Sequence, residues 1–295
     1  DFSRILGKYK VRRPALKTIT FLLYDHLGGI NTMLHVLSNG GCLVTIEDRS
    51  PDGVLGAVER HRVELLPTSP TFFNLVLISG AYKRHDLSSL KIASYGTEAM
   101  PESTLKRFHE ILPNVDLRQT YGLTELGVLR TKSEAPDSLW LRVGGEGFQT
   151  RVVDGILHIK ADSAMLGYLN EESPFTEDGW FVTGDSVEAK GEFIRILGRE
   201  TDIINVGGQK VYPAEVESVI QAMEEVAEVA VYGENNPIVG NLVCATIRLL
   251  GDDDRRHFQA KLRRYCRDRL DDYKIPIKIK LSLEPLHTER FKRVR

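Results

Sequence analysis

The feature that most constrains this chain is a change of period along it. Between about residues 17 and 100, apolar runs alternate with short clusters of Gly, Asn, Pro and Ser. "KTITFLLYDHLGGI" reads as a strand feeding a Gly-Gly turn, "NTMLHVLSNGG" as a short helix closed by Asn-Gly-Gly, and "CLVTIED" as another strand. "VELLPTSPTFFNLVLISG" and "LKIASYGTEAM" continue the rhythm. Strands that alternate with helices imply a parallel sheet covered by those helices, so a layered α/β fold is expected.

Past about Leu139 the pattern shortens. "RVVDGILHIK" sets Asp154-Gly155 between two alternating runs, and "VEAKGEFIRIL" does the same with Lys190-Gly191, as hairpins require. A small antiparallel sheet or β-barrel is expected there. After "ILGRETD" the chain begins again: Pro213 suits a helix's first turn, and Val216, Val219, Ile220 and Met223 share a face. Two strands follow, with Val243, Ala245, Ile247 and Leu249 on one side, then a helix with Phe258, Leu262, Tyr265 and Cys266 on a stripe. The expected organisation is part of a large domain over residues 1–198, α/β to 138 and β-barrel-like over 139–198, then a smaller α+β domain over 199–295.

Charge and cysteine usage exclude several functions. With 39 basic and 41 acidic residues, the molecule offers no general attraction to nucleic acid or to a membrane surface. Bases in the last helix are interleaved with acids and lack an aromatic platform, which describes a solvated face. No apolar run approaches the roughly 20 residues of a membrane helix. The stretch "DFSRILGKYKVRR" has no signal-peptide core, so a cytoplasmic location is expected. Cys42, Cys244 and Cys266 are widely spaced; neither a disulfide framework nor a zinc site is signalled, and each is expected in the core.

Four short stretches carry chemistry. "TYGLTELG" (120–127) places a Thr beside an acid, the pairing that holds a phosphate oxygen and the Mg²⁺ on it. "SYGTEAMP" (94–101) ends a strand in a glycine turn, where α/β sheets bind ligands. "GWFVTGDSVE" leads to Asp185, a carboxylate that can accept two vicinal hydroxyls. "GRETDIINVGGQKVYPAEVE" puts Arg199 at the domain junction and then a Gly-Gly turn open to close approach. There is no Walker loop, so phosphate chemistry has to be assembled from scattered pieces.

In this order, and together with "YDHLGG" and the terminal "HTERFKRVR", these stretches resemble the adenylate-forming superfamily of acyl- and aryl-CoA synthetases, nonribosomal adenylation domains and luciferase. The resemblance covers nearly the whole chain. It implies activation of a small carboxylic acid by ATP as acyl-AMP, with release of pyrophosphate, then transfer to the thiol of coenzyme A or of a carrier protein's phosphopantetheine. By the same resemblance Tyr121 would stack on adenine, with Gly96, Thr97 and Glu98 on the purine's other side and Gly122 beside them. Thr124 would bind the α-phosphate and Glu125 the Mg²⁺. Asp185 would take the ribose hydroxyls, assisted by Arg199. His26 would face the substrate carboxylate, and Lys292, aligned with Thr288 on the family's Thr-x-x-Gly-Lys, would contact carboxylate and α-phosphate. Gly208 would line the thiol tunnel, and Lys210 belongs to the same cofactor-binding motif.

The chain also departs from the family. The Ser/Thr/Gly-rich loop that cradles the outer phosphates is expected before residue 1, which makes this either most of a longer enzyme or a shortened relative. Thr201 replaces the usual Asp or Lys of the hinge. Phe291 replaces the Gly before the catalytic lysine, and Phe does not readily take a positive φ. "YDHLGGINTMLHVL", "TSPTFFNLVL" and "SYGTEAMP" are expected to line the acid's pocket, and with Phe72, Phe73 and Tyr95 nearby an apolar or aryl substrate is suggested. The rival readings are a catalytically silent nucleotide- or partner-binding module, and an adenylate that is oxidised or passed to an amine.

Overall fold

The computed structural model describes residues 16–251 and 255–294. The stretch on which the signal-peptide reading rests, residues 1–13, lies outside the described residues. A parallel five-stranded sheet comes first, in the order β2-β1-β3-β4-β5. Its strands are β1 (Thr18–Ile19), β2 (Leu43–Val44), β3 (Leu65–Thr68), β4 (Ile92–Tyr95) and β5 (Asp116–Gln119). The connecting helices are α1 (Leu27–Ser38), α2 (Pro51–His61), α3 (Pro70–Ser79) and α4 (Glu102–Ile111). Local chemistry sets their starts: Ser50 and Ser69 cap α2 and α3 through side-chain oxygens, each followed by Pro at the first helical position. Helix α3 is buried from Pro70 to Leu77, and its Phe72 and Phe73 join Phe21, Tyr95 and Phe108 in the largest apolar core.

The expected Gly-Gly turn is instead helix. His26 caps α1, and Gly28 and Gly29 form its first turn. A Cβ on Gly29 would lie 2.0 Å from the Leu23 carbonyl oxygen, so close backbone packing, and not a chain reversal, requires the glycine. The Asn-Gly-Gly end is as expected: Asn39 caps α1 and Gly40 has φ +63°.

The second sheet has seven strands in the order β6-β7-β8-β12-β11-β10-β9. They are β6 (Tyr121–Leu123), β7 (Gly127–Ser133), β8 (Leu141–Gly144), β9 (Phe148–Val153), β10 (Ile156–Ala161), β11 (Phe181–Lys190) and β12 (Phe193–Arg199). Asp154 and Gly155, both at positive φ, make the β9–β10 hairpin. The β11–β12 turn is Gly191-Glu192, one residue later than expected, because Lys190 pairs with Phe193. The sheet begins at Tyr121, ahead of the change of pattern at 139. Its order has two ends, β6 and β9, and among the described residues only one isolated bridge, Gly145–Phe148, links the end of β8 to β9, so the expected barrel is joined there by a single bridge and not by a ladder.

The last unit is a third sheet. Its strands are β13 (Ile204–Val206), β14 (Gln209–Val211), β15 (Val226–Asn236), β16 (Gly240–Leu249) and β17 (Lys278–Leu281). β16 pairs antiparallel with β15 and parallel with β17. Helices α5 (Pro213–Gln221) and α6 (Arg255–Arg267) cover it, and Val216, Ile220, Val243, Ile247, Phe258, Leu262 and Cys266 form its own core. This unit touches the first through α4 and α5: the Glu102 N–H donates to Ser218 Oγ at 3.1 Å. Buried Asn74 on α3 donates Nδ2 to the Ala227 carbonyl at 2.8 Å. Of the cysteines, Cys244 and Cys266 are buried but Cys42 is exposed, since it precedes the edge strand β2.

Candidate active site

The carboxyl ends of β3, β4 and β5 lie side by side, as their parallel registers require. That edge is where open α/β sheets leave a crevice. Gly96 follows β4 and Thr120 follows β5; a Cβ on Gly96 would come within 2.5 Å of Thr120 Oγ1, so only glycine allows this approach. Thr97 next to it has φ +73°, a strained conformation for a β-branched residue and one that concentrates at functional sites.

Two adjoining cavities open here. The first, of about 480 Å³, is lined by His26, Gly28, Asn31, Thr32, His35 and Val36 of α1 and its cap. Opposite them lie Thr68, Ser94, Gly96 and Thr97, then Gly122, Thr124 and Glu125 of the β6–β7 hairpin, with Arg199 and Lys292. The second, of about 250 Å³, is lined by Thr97, Glu98, Tyr121, Gly122, Asp185, Gly198, Arg199, Asp202 and Lys292. Thr97, Tyr121, Gly122, Arg199 and Lys292 face both. Residues from all three sheets or their flanking loops therefore converge on one crevice.

Asp185 is the best-held group in it. Its two oxygens are engaged separately: Tyr121 Oη donates at 2.5 Å to one, and Arg199 Nε lies 2.9 Å from the other. Its backbone N–H donates to Thr183 Oγ1 at 3.0 Å, and Arg199 Nη1 donates to the Thr183 carbonyl at 3.0 Å. Burial raises the Asp185 carboxyl above the ordinary range, against the opposing effect of the Tyr121 hydrogen bond and Arg199. Burial also raises the Tyr121 phenol, so it stays protonated as a donor. The carboxylate is thus fixed at the cavity wall with lone pairs left for vicinal hydroxyls.

Across the crevice, Thr124 is exposed at the β6–β7 turn, and Glu125 Oε1 accepts from Tyr168 Oη at 2.6 Å. Among the described residues no group of three or more His, Cys, Asp or Glu could hold a metal alone. One carboxylate beside a hydroxyl nevertheless fits Mg²⁺ bound largely through substrate phosphates and water. His26 Nδ1 accepts the Gly28 N–H at 3.1 Å, which leaves the proton of a neutral ring on Nε2. Burial lowers its pKa, with Lys292, Arg290 and Arg49 adding to the effect, so it is a neutral donor.

Glu98 lines the second cavity but its carboxylate does something the sequence did not suggest. Oε1 accepts the Thr71 N–H at 2.9 Å and Oε2 the Arg293 N–H at 3.1 Å, joining α3 to the segment that carries Lys292. Gly208 and Lys210 line neither cavity; they lie on the β13–β14 hairpin, where the Gly208 N–H donates to Asn205 Oδ1 at 2.9 Å. Phe72, Phe73 and Tyr95, expected near the acid, are instead buried in the core at 0%, 0% and 1% exposure and face neither cavity. Asn31, His35 and Thr68 lie in two of the stretches expected to line the acid pocket and do line the first cavity, although sequence reading did not single them out; the helical spacing 28, 31, 32, 35 along α1 was the local signal for the first two. Tyr168, the partner of Glu125, was missed.

The sequence pattern of the AMP-binding enzyme family matches residues 5–169, and that of the AMP-binding enzyme C-terminal domain matches 215–290. The chain belongs to the AMP-binding enzyme family. Among curated relatives, a 3-[(3aS,4S,7aS)-7a-methyl-1,5-dioxo-octahydro-1H-inden-4-yl]propanoyl:CoA ligase of Mycobacterium tuberculosis is 32% identical over 83% of this chain and 50% of its own length. A long-chain-fatty-acid–CoA ligase of Haemophilus influenzae is 27% identical over 86% and 48%. The chain spans about half the length of the curated relatives it matches. Among solved structures, the anthranilate CoA ligase AuaEII in complex with anthranoyl-AMP superposes with a TM-score of 0.84, covering 99% of this chain and 61% of that one at 23% identity. The amide bond synthetase McbA of Marinactinospora thermotolerans gives 0.80, with 98% and 62% covered at 25% identity. The three sheets of this family member match the adenylate-forming fold of these structures.

Proposed function

We propose that this chain carries the nucleotide and acid site of an ATP-dependent carboxylate–thiol ligase. The observation that carries the reading is convergence: Thr124, Glu125, His26 and Lys292 face one cavity, and Tyr121, Asp185 and Arg199 face the cavity that opens into it. Adenosine fits the second cavity, with its ribose hydroxyls on Asp185 and its base beside Tyr121 and the 96–98 turn. The acid fits the first. A carboxylate oxygen attacks the α-phosphorus of ATP, the bond to the β-phosphate oxygen breaks, and pyrophosphate leaves. This brings two anions together, so the main demand on the site is to stabilise charge on the phosphoryl oxygens. Lys292 supplies a cation and Thr124 a hydroxyl at that point, and neutral His26 donates Nε2–H to the carboxylate. Mg²⁺, held by Glu125 and the phosphates, would supply further charge neutralisation.

In the second step a thiol, coenzyme A or a carrier phosphopantetheine, attacks the acyl carbon and AMP leaves. Gly208 and Lys210 are outside the crevice here. We infer that the last unit rotates about the Arg199–Asp202 junction between steps, withdrawing Lys292 and bringing the β13–β14 hairpin in. Acid-dependent ATP:pyrophosphate exchange tests the first step. Exchange abolished by Asp185→Ala and by Lys292→Ala supports the reading, and AMP release that then requires a thiol supports the second step. AMP binding without exchange for any acid, even with the segment that carries the outer-phosphate loop supplied, points to a silent nucleotide-binding module, and release driven by an amine points to amide synthesis.

A further inference from the structure

The segment bearing Lys292 contains a residue in a conformation that its side chain disfavours. The Thr288 N–H donates to the Lys292 carbonyl at 2.8 Å and the Phe291 N–H to the Thr288 carbonyl at 2.9 Å. His287 and Arg293 form an antiparallel bridge, so Glu289, Arg290 and Phe291 are the loop of a tight hairpin. Such a three-residue loop is a type I turn followed by a left-handed residue, normally Gly. Here that residue is Phe291, at φ +53°. The expectation that Phe would avoid this conformation was therefore wrong, and something must offset the strain.

The offset is visible in what the ring touches. Phe291 packs on Phe21 with centroids 5.1 Å apart and edge-on against Phe72 at 5.3 Å. The Arg49 guanidinium lies 5.1 Å from both the Phe21 and Phe291 rings, and donates to the Phe21 and Glu289 carbonyls at 3.0 Å each. The backbone on either side of Lys292 is tied to the first unit as well. Ser69 Oγ, which caps α3, donates to the Phe291 carbonyl at 2.8 Å, and the Arg293 N–H donates to Glu98 at 3.1 Å. Phe21, Arg49, Ser69, Phe72 and Glu98 all precede β5, whereas the hairpin belongs to the last unit. Glycine would fit the turn with less strain but could make none of the ring contacts.

We propose that Phe291 is a positioning residue: an aromatic latch that docks the C-terminal hairpin on the Phe21–Phe72 surface and so holds Lys292 at the junction of the two cavities. What Lys292 does there rests on the adenylation reading; the latch does not. It is also the contact that has to break for the last unit to rotate, so the side chain at 291 sets how strongly the chain favours the present arrangement.

The test is amide hydrogen exchange of residues 286–294 in this chain as wild type and as Phe291→Leu, Phe291→Ala and Phe291→Gly. A latch predicts that protection of the Arg293 amide follows side-chain bulk, Phe above Leu above Ala. It predicts Gly at least about tenfold below wild type, the loss that an aromatic contact of this kind implies. Protection of the β15–β16 amides should not change, which reports that the variants are folded. If dihedral strain dominates and the ring holds nothing, Phe291→Gly will be as protected as wild type or more so, and the proposal fails. Ser69→Ala gives an independent arm, loosening the same segment through the Phe291 carbonyl; no change there together with unchanged Phe291→Ala protection also overturns it. In pyrophosphate exchange, kcat should fall in the same order while the KM for ATP stays within about twofold. Absence of any exchange in the wild type with the outer-phosphate loop supplied would count against the adenylation reading and leave the protection result to decide the latch.

Discussion

Tyr121 and Asp185 are predicted to be strongly coupled, and the coupling can be sized from their surroundings. The Asp185 side chain is 10% exposed, whereas that of Arg199 is 51% exposed. The Arg199 pair therefore lies toward solvent, where such pairs contribute on the order of 1 kcal/mol or less. The Tyr121 hydrogen bond is buried, 2.5 Å long and made to a charged acceptor, a class worth about 1.5–3 kcal/mol. Tyr121→Phe should thus destabilise the chain by about 2 kcal/mol, and a double-mutant cycle with Asp185→Ala should return a coupling of about 1.5–3 kcal/mol. Urea denaturation of the four proteins measures it. The pH dependence gives a second readout. Burial raises the Asp185 carboxyl, so folding loses stability as pH rises from the ordinary carboxylate range through the raised folded value. Removing the Tyr121 donor raises that carboxyl further, so the gap between wild type and Tyr121→Phe should widen as pH rises through that window. A coupling under about 0.5 kcal/mol, or a gap that narrows with rising pH, would refute the reasoning.

Three further outcomes follow from the same geometry. Cys42 is exposed while burial pushes the Cys266 thiol up to about 11, so a thiol reagent at pH 8 should label Cys42 first and Cys266 only on unfolding, as peptide mass spectrometry would read. Burial pushes the Glu228 carboxyl up, but His287 and Arg248 overcome it and hold it below the ordinary range. Its stabilisation is present above the unfolded pKa and lost as pH falls through the folded one, so Glu228→Gln should cost about 2–4 kcal/mol at neutral pH and much less in acid, by denaturation at each pH. Asn74→Ala removes one of the two side-chain donors to the buried Ala227 carbonyl, leaving Gln221 Nε2, which should cost about 0.5–1.5 kcal/mol and speed limited proteolysis across residues 199–206.

The sequence made the local features legible and left the long-range ones hidden. Strand and helix alternation, the Asp154-Gly155 hairpin, Pro213 opening α5 and the stripe of Phe258, Leu262 and Cys266 all depend on neighbours within a few residues, and all are present. Gly28-Gly29 was misread because glycine marks both chain reversal and close packing, and only the Leu23 carbonyl above it distinguishes the two. The second sheet's start was missed because β6 and β7 (121–133) lack a clear alternation of burial and also run beside β5. In the site, Tyr121, Thr124, Glu125, Asp185, Arg199 and Lys292 were found through motif resemblance, and they face the crevice. The Glu98 bond to Arg293 and the Ser69 bond to Phe291 link positions some two hundred residues apart, at separations of 195 and 222. No periodicity or spacing could announce them.

The most direct test of the central claim is calorimetric titration of this chain with AMP and Mg²⁺, in parallel with Asp185→Ala. It needs no knowledge of the acid. The account predicts saturable binding to the wild type that the substitution abolishes. Binding that survives Asp185→Ala unchanged, or its absence in folded wild-type protein, would contradict it.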